Sequence, residues 1–193
     1  MKFRLVAAAA TACIAAFSPM ANASEYDDQL KSLVEAELLG WLNDPELISA
    51  LKAQNEEHAG LTQSDIDGMD QTWRAEVGSS STTMIDGVLS RTASVHLAEK
   101  QEASQGLVTE VFVMDNRGLN VAQSAVTSDY WQGDEDKFQQ SFGNGAGAIH
   151  IGEVELDESS QTYQSQVSVA IADPDSNEVI GAATFGINLE MLE

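Results

Sequence analysis

The stretch EVFVMDNRGLNVAQS, Glu110–Ser124, decides the fold. Val108 to Met114 is apolar on both faces around Thr109 and Glu110, the pattern of a strand buried within a sheet. Asp115-Asn116-Arg117-Gly118 is a hairpin signal, because it supplies turn formers and a glycine for positive φ. Leu119 to Ala125 then reads as the return strand. A β-hairpin therefore sits at the middle of the chain, and the periodicity differs on its two sides.

Upstream the period is helical. Asp28 to Leu42 places Leu30, Leu33, Val34, Leu38 and Trp41 on one face. Asn43-Asp44-Pro45 ends that helix and starts another, with Asp44 as N-cap and Pro45 in the first turn. Gly60 closes the second helix, and Thr62 with Asp65 forms a capping box for a third that runs to about Val77. After Gly78-Ser79-Ser80-Ser81, the stripe Ile85, Val88, Leu89, Thr92 and Val95 predicts one long fourth helix ending near Ser104.

Downstream, Asp134 to Phe142 reads as a short helix and Gly143 to Gly147 as a flexible link. Ala148 to Leu156, Tyr163 to Ala172 and Val179 to Leu189 read as strands, joined by turns at Asp157–Ser160 and Asp173–Asn177. The expected fold is α+β: a five-stranded antiparallel sheet with a long helix before it and a helical N-terminal region. The expected division is residues 1–23, a helical region 24–78, and a sheet-bearing unit 79–193 packed with it.

Residues 1–23 have the form of an export signal. Lys2 and Arg4 precede the apolar run Leu5 to Phe17, and Ala21-Asn22-Ala23 supplies small residues for cleavage. The apolar run is too short for a permanent span of about 20 residues. Removing 23 residues from 193 leaves 170, one ordinary domain. Cys13 is the single cysteine, so the exported portion has no disulfide or thiolate chemistry. The net charge is −22, and losing Lys2 and Arg4 makes it −24. Such a chain lacks the clustered basic residues that nucleic acid or an anionic membrane surface requires. The expected location is the periplasm or outside the cell, without membrane insertion.

Catalytic motifs are lacking. His58, His96 and His150 lie in no nucleophile motif and have no i, i+4 zinc spacing. His58, after Glu56-Glu57, reads as solvated, His96 lies on the amphipathic helix and His150 alternates within a strand, each a structural or surface histidine. Gly143, Gly145 and Gly147 follow a helix rather than a strand, so they are a hinge and not a phosphate loop. No enzyme activity, cofactor or metal is expected.

TSDYWQGDEDKF, Thr127–Phe138, gathers Asp129, Tyr130, Trp131, Asp134 and Glu135 between a strand and a helix. A solvated loop gains little from two bulky aromatics, so they read as pocket wall or as one core residue and one pocket residue. Asp134 and Glu135 suit a first helical turn. Asp129 has no such structural reason to be there.

EVFVMDNRGLNVAQS, TSDYWQGDE (Thr127–Glu135) and VELDESSQTYQSQVSVAIADPDSNEVIGAATFGINLE (Val154–Glu190) together resemble periplasmic Cache sensor domains, the PAS-like, PDC-type ligand-binding domains of bacterial chemoreceptors and sensor kinases. The resemblance covers Leu107 to Glu193 and is nearest to small secreted standalone members. It implies a pocket between the sheet and the segment covering it. The implied ligand positions are Tyr130, Trp131 and Asp129, with Asp157 in LDESS. Amino-acid receptors of this kind place an arginine before the aromatic pair. Thr127-Ser128-Asp129 stands there instead, and Arg91 substitutes only if it faces inward.

The expected function is therefore a secreted binding module for a small polar or amine-containing metabolite, acting through a membrane sensor kinase or chemoreceptor. The competing reading is a structural or interaction protein whose pocket is filled by its own side chains, with a hydrolase third. The sequence leaves the oligomeric state open.

Overall fold

The computed structural model describes residues 23–157 and 162–192, with the side chains of residues 23–25 and of Asp157 outside that description. The export signal, Cys13 and most of the Asp157–Ser160 turn thus lie outside the described residues.

The first helix begins as α1 (Ala23–Leu33), passes through a π-helical turn (Val34–Leu38) and ends as α2 (Leu39–Leu42). Leu30, Val34, Leu38 and Leu42 are buried at four-residue intervals, forming one stripe against the sheet. In α3 (Pro45–His58) the Asp44 carboxylate accepts from the Glu46 and Leu47 amides at 2.8 and 3.3 Å. In α4 (Gln63–Glu76) Thr62 and Asp65 form the reciprocal capping box.

The long fourth helix is two helices, α5 (Thr83–Leu89) and α6 (Thr92–Ala103). Arg91 breaks it: its backbone is extended, with φ −62° and ψ 142°, and its guanidinium turns inward. The break rotates the second half. Val95, expected in the apolar stripe, is 47% exposed, while Ala93, Ser94 and Leu97 are buried.

The strands are β1 (Val108–Asp115), β2 (Asn120–Gln123), β3 (Ile149–Ile151), β4 (Glu155–Asp157), β5 (Thr162–Ala172) and β6 (Val179–Asn188). They form one antiparallel sheet in the order β2-β1-β6-β5-β3, with β4 on the remaining length of β5. The expected third strand is split. Ile149 pairs with Val169 and Glu155 with Gln164, so the register slips by one residue across Gly152–Val154. Between β2 and β3 lie α7 (Asp136–Gln139) and a 3₁₀ turn (Phe142–Asn144). Glu135 caps α7 and Asp134 precedes it, so neither lies in its first turn as expected.

The two faces of the sheet differ. Val111, Val113, Val167, Val169, Ile171, Phe185 and Ile187 point to the side covered by α1, α3 and α6 and form the main core. The opposite face carries Phe112, Met114 and Ala182 beneath Phe138 and Phe142, whose rings stack 4.8 Å apart. A third cluster, built from α4, α5 and Tyr130, lies beyond the β2 edge.

Candidate functional site

The segment after β2 is fastened to α4. One Asp70 oxygen accepts from the backbone amides of Tyr130 and Trp131 at 2.9 and 3.0 Å. The other accepts from Arg74 Nε at 2.6 Å, and Arg74 Nη2 reaches Asp129 at 2.8 Å. Asp129, expected to be unpaired, is therefore an ion-pair partner. Tyr130 is 2% exposed and stacks on Trp73, with ring centroids 5.4 Å apart. Burial pushes its phenol up to about 12, against the pull of the hydrogen-bonded Arg91. Trp131 Nε1 donates to the Arg117 carbonyl at 2.8 Å. Its ring covers Gly133, and Gly118, at φ +81°, leaves no room for a Cβ against the Gly133 backbone. These contacts close the hairpin turn onto the segment.

Arg91 does face inward. Its Nη1 donates to Gln54 Oε1 and to the Val121 carbonyl, both at 2.7 Å. Gln54 in turn donates to Asp115, whose carboxylate is fully buried and also accepts from the Arg117 and Leu119 amides. His58 Nδ1 lies 2.7 Å from the same carboxylate and is 6% exposed. The solvated reading of His58 is therefore corrected: the hairpin turn closes over the end of α3 and buries it. Asp157 ends β4 opposite Thr162, and its side chain lies outside the described residues.

The remaining geometry is on the α7 face of the sheet. Cross-strand registers align one row over five strands: Gln123, Phe112, Thr184, Ser168 and His150. The Ser168 and Thr184 hydroxyls are buried and 2.8 Å apart. The next row holds Glu110, Gly186, Gln166 and Gly152, with Gln166 donating to Glu110 at 2.8 Å. A sheet face that only completed a core would carry large aliphatic side chains, as the other face does. Beside the apolar cluster of Phe112, Met114 and Ala182, this one carries hydroxyls, amides and small residues on β5 and β6.

At the β3 end this face opens into a cleft of about 720 Å³ beneath the α7 segment. Asp134, Glu135, Asp136 and Lys137 form one wall; His150, Gly152, Glu153, Glu155 and Gln166 form the other. Five carboxylates face one lysine there, so the cleft is strongly acidic. Lys137 Nζ pairs with Glu135 at 2.9 Å and lies 5.6 Å from the Phe112 ring centroid.

Of the residues singled out in the sequence, Asp129, Tyr130, Trp131 and Arg91 gather at the β2 end and fix the covering segment. Of the cleft residues, the sequence reading names Asp134 and Glu135 as acids of a first helical turn and His150 as alternating within a strand, and one further signal points to the cleft. Gln164, Gln166 and Ser168 alternate with Ser165, Val167 and Val169 on a strand paired on both sides, which marks one face as polar.

No protein-family model and no curated protein matches the chain. Among solved structures, the Vibrio cholerae histidine kinase DctB sensor domain aligns at 16% identity and a TM-score of 0.44, over 86% of this chain and 55% of that one. The ligand-binding domain of the Campylobacter jejuni chemoreceptor Tlp3, in complex with 4-methylisoleucine, aligns at 15% identity and 0.40, over 91% of this chain and 64% of that one. Extracellular domains of two proteins described as histidine kinases are also among the matches. At these values the α+β assignment rests on the strand order itself. The chain spans about half to two thirds of the domains it matches.

No helix among the described residues is long and apolar enough to cross a membrane.

Proposed function

We propose that this chain is an exported, non-enzymatic sensor-type module that binds a small organic cation in the acidic cleft beneath α7. It reports occupancy through a separate membrane kinase or chemoreceptor. The observation that carries the reading is the polar face of the sheet leading into that cleft. Its volume of about 720 Å³ is within the range of small-molecule sites. Its carboxylates select for positive charge, and the net charge of −22 adds a long-range field that draws cations in.

Tyr130, Trp131, Asp129 and Arg91 are assigned an indirect part: they hold the segment that carries the α7 wall. Asp157, at the end of β4, is kept as a candidate ligand residue. Residues 1–23 are assigned to export.

A thermal-shift panel of small amines, amino acids and carboxylates tests the reading. An amine at about a hundred times its dissociation constant stabilises by roughly 2.7 kcal/mol, a rise of roughly 5–10 °C for a domain of this size. Stabilisation by carboxylates alone would overturn the choice of ligand class. A flat response to the whole panel would overturn the binding function.

A further inference from the structure

The helical layer of α1, α3 and α6 stops short of one end of the sheet. Alternate residues of a strand share a face, and along that face of β5 Val167 and Ser165 are buried while Tyr163 is 54% exposed. No large apolar side chain among the described residues is more exposed. Leu156 on β4 stands directly opposite Tyr163 and is 49% exposed; Val154, two residues earlier, is 43% exposed. Three large apolar side chains thus lie uncovered along one short margin of the sheet. The backbone beside them is open as well. β4 pairs with β5 on one side, and among the described residues no strand pairs with its other side. An open edge presents unpaired N–H and C=O groups on which another chain can pair. The slip at Gly152–Val154 separates this edge from β3, so the stretch from Glu153 to Asp157 is short, about 16 Å at 3.3 Å per residue.

The two faces of this margin carry different chemistry. Glu155 stands opposite Gln164, on the face where it and Glu153 line the acidic cleft, while Leu156 stands opposite Tyr163 on the other face. A second copy paired antiparallel across a two-fold axis would set these glutamates beside their own counterparts, and like charges opposed across strands destabilise the pair. A strand that alternates basic and apolar residues meets both faces favourably. We propose that the free edge of β4 is the docking site for an extended, basic segment of a partner protein. That segment adds a strand to the sheet, with lysines or arginines beside Glu153 and Glu155 and apolar side chains against Val154, Leu156 and Tyr163. Main-chain pairing supplies affinity in this mode of recognition, and the alternating side chains supply specificity. The proposal stands whether or not the cleft holds a cation.

The test uses seven-residue peptides as probes, followed by fluorescence anisotropy in about 0.15 M salt, where the Debye length is about 8 Å. A peptide alternating Lys and Val should bind saturably at one site. The same composition written as a Lys block followed by a Val block should bind at least tenfold more weakly, and a peptide alternating Glu and Val should not bind. Hydrogen exchange read by NMR should show added protection at Glu155 or Leu156 and none along β2. Leu156→Ser should lose at least tenfold in affinity for the Lys–Val peptide; Tyr163→Ser should do the same and serves if the first variant folds poorly. No saturable binding, equal binding of the alternating and block peptides, or parental affinity in both variants would overturn the edge as the site. If sedimentation instead shows the chain self-associating through a contact that Leu156→Ser abolishes, the occupant is a second copy and the proposal is wrong. Each of these failures leaves the cleft reading untouched.

Discussion

Asp70 on α4 holds the backbone amide of Tyr130 at 2.9 Å, across sixty positions of sequence. The same carboxylate takes the Trp131 amide and the Arg74 guanidinium. One side chain thus ties the helical region to the segment that leads into α7. Asp70→Ala strands two amides and frees Arg74. Each buried unsatisfied group costs about 1–3 kcal/mol, so a loss of roughly 2–5 kcal/mol is expected in urea unfolding. Asp70→Asn keeps an acceptor for the amides and should lose less than half as much. Equal losses in the two variants would show that the amide contacts are not what matters.

Asp115 makes a second long-range tie. Its buried carboxylate joins Gln54 and His58 of α3 to the turn amides of Arg117 and Leu119. Asp115→Ala takes away the partner of Gln54, His58 and the Arg117 and Leu119 amides at once, and each buried group left unsatisfied costs about 1–3 kcal/mol. Equilibrium unfolding should show that loss, on the order of a domain's whole margin. A near-parental midpoint would contradict the network.

Tyr130 sets an alkaline limit. Its phenol is pushed from 10.0 up to about 12 by burial. The folded state therefore holds the proton longer than the unfolded state does. The stability this represents is complete below about pH 10 and is lost as pH rises towards 12. That rise corresponds to about 2.7 kcal/mol. Ultraviolet titration should find this tyrosine ionising well above the ordinary phenol value of about 10, and Tyr130→Phe should flatten the alkaline decline. An unchanged decline in that variant would show that another group causes it.

Much of the fold was legible because it is written in local signals. The hairpin at Asp115–Gly118, the Asp44 cap and the Thr62–Asp65 box each need only a few adjacent residues. What was not legible depends on distant partners. The break at Arg91 occurs because its guanidinium finds Gln54 and the Val121 carbonyl, some thirty positions or more away. The periodicity of Ile85, Val88 and Leu89 carries no trace of that. His58 follows two glutamates and reads as solvated, but a hairpin turn about sixty residues later closes over it. The aromatic pair drew the candidate site towards Tyr130 and Trp131, because bulky residues in an acidic loop stand out. Their reason for being there is a third small core with Trp73, which only the placement of α4 reveals. The cleft itself is made of ordinary acids and amides whose convergence depends on the register of β3 on β5.

The central claim is that the acidic cleft beneath α7 binds a small organic cation. Calorimetric titration with 1,4-diaminobutane, comparing the parent with a Glu153→Gln, Glu155→Gln double variant, tests it most directly. Both glutamates line the cleft and are exposed, so their replacement leaves the core intact. The account predicts saturable one-to-one binding by the parent, weakened at least tenfold, or about 1.4 kcal/mol, in the double variant. An absence of saturable binding by the parent, or equal affinity in the double variant, would contradict it.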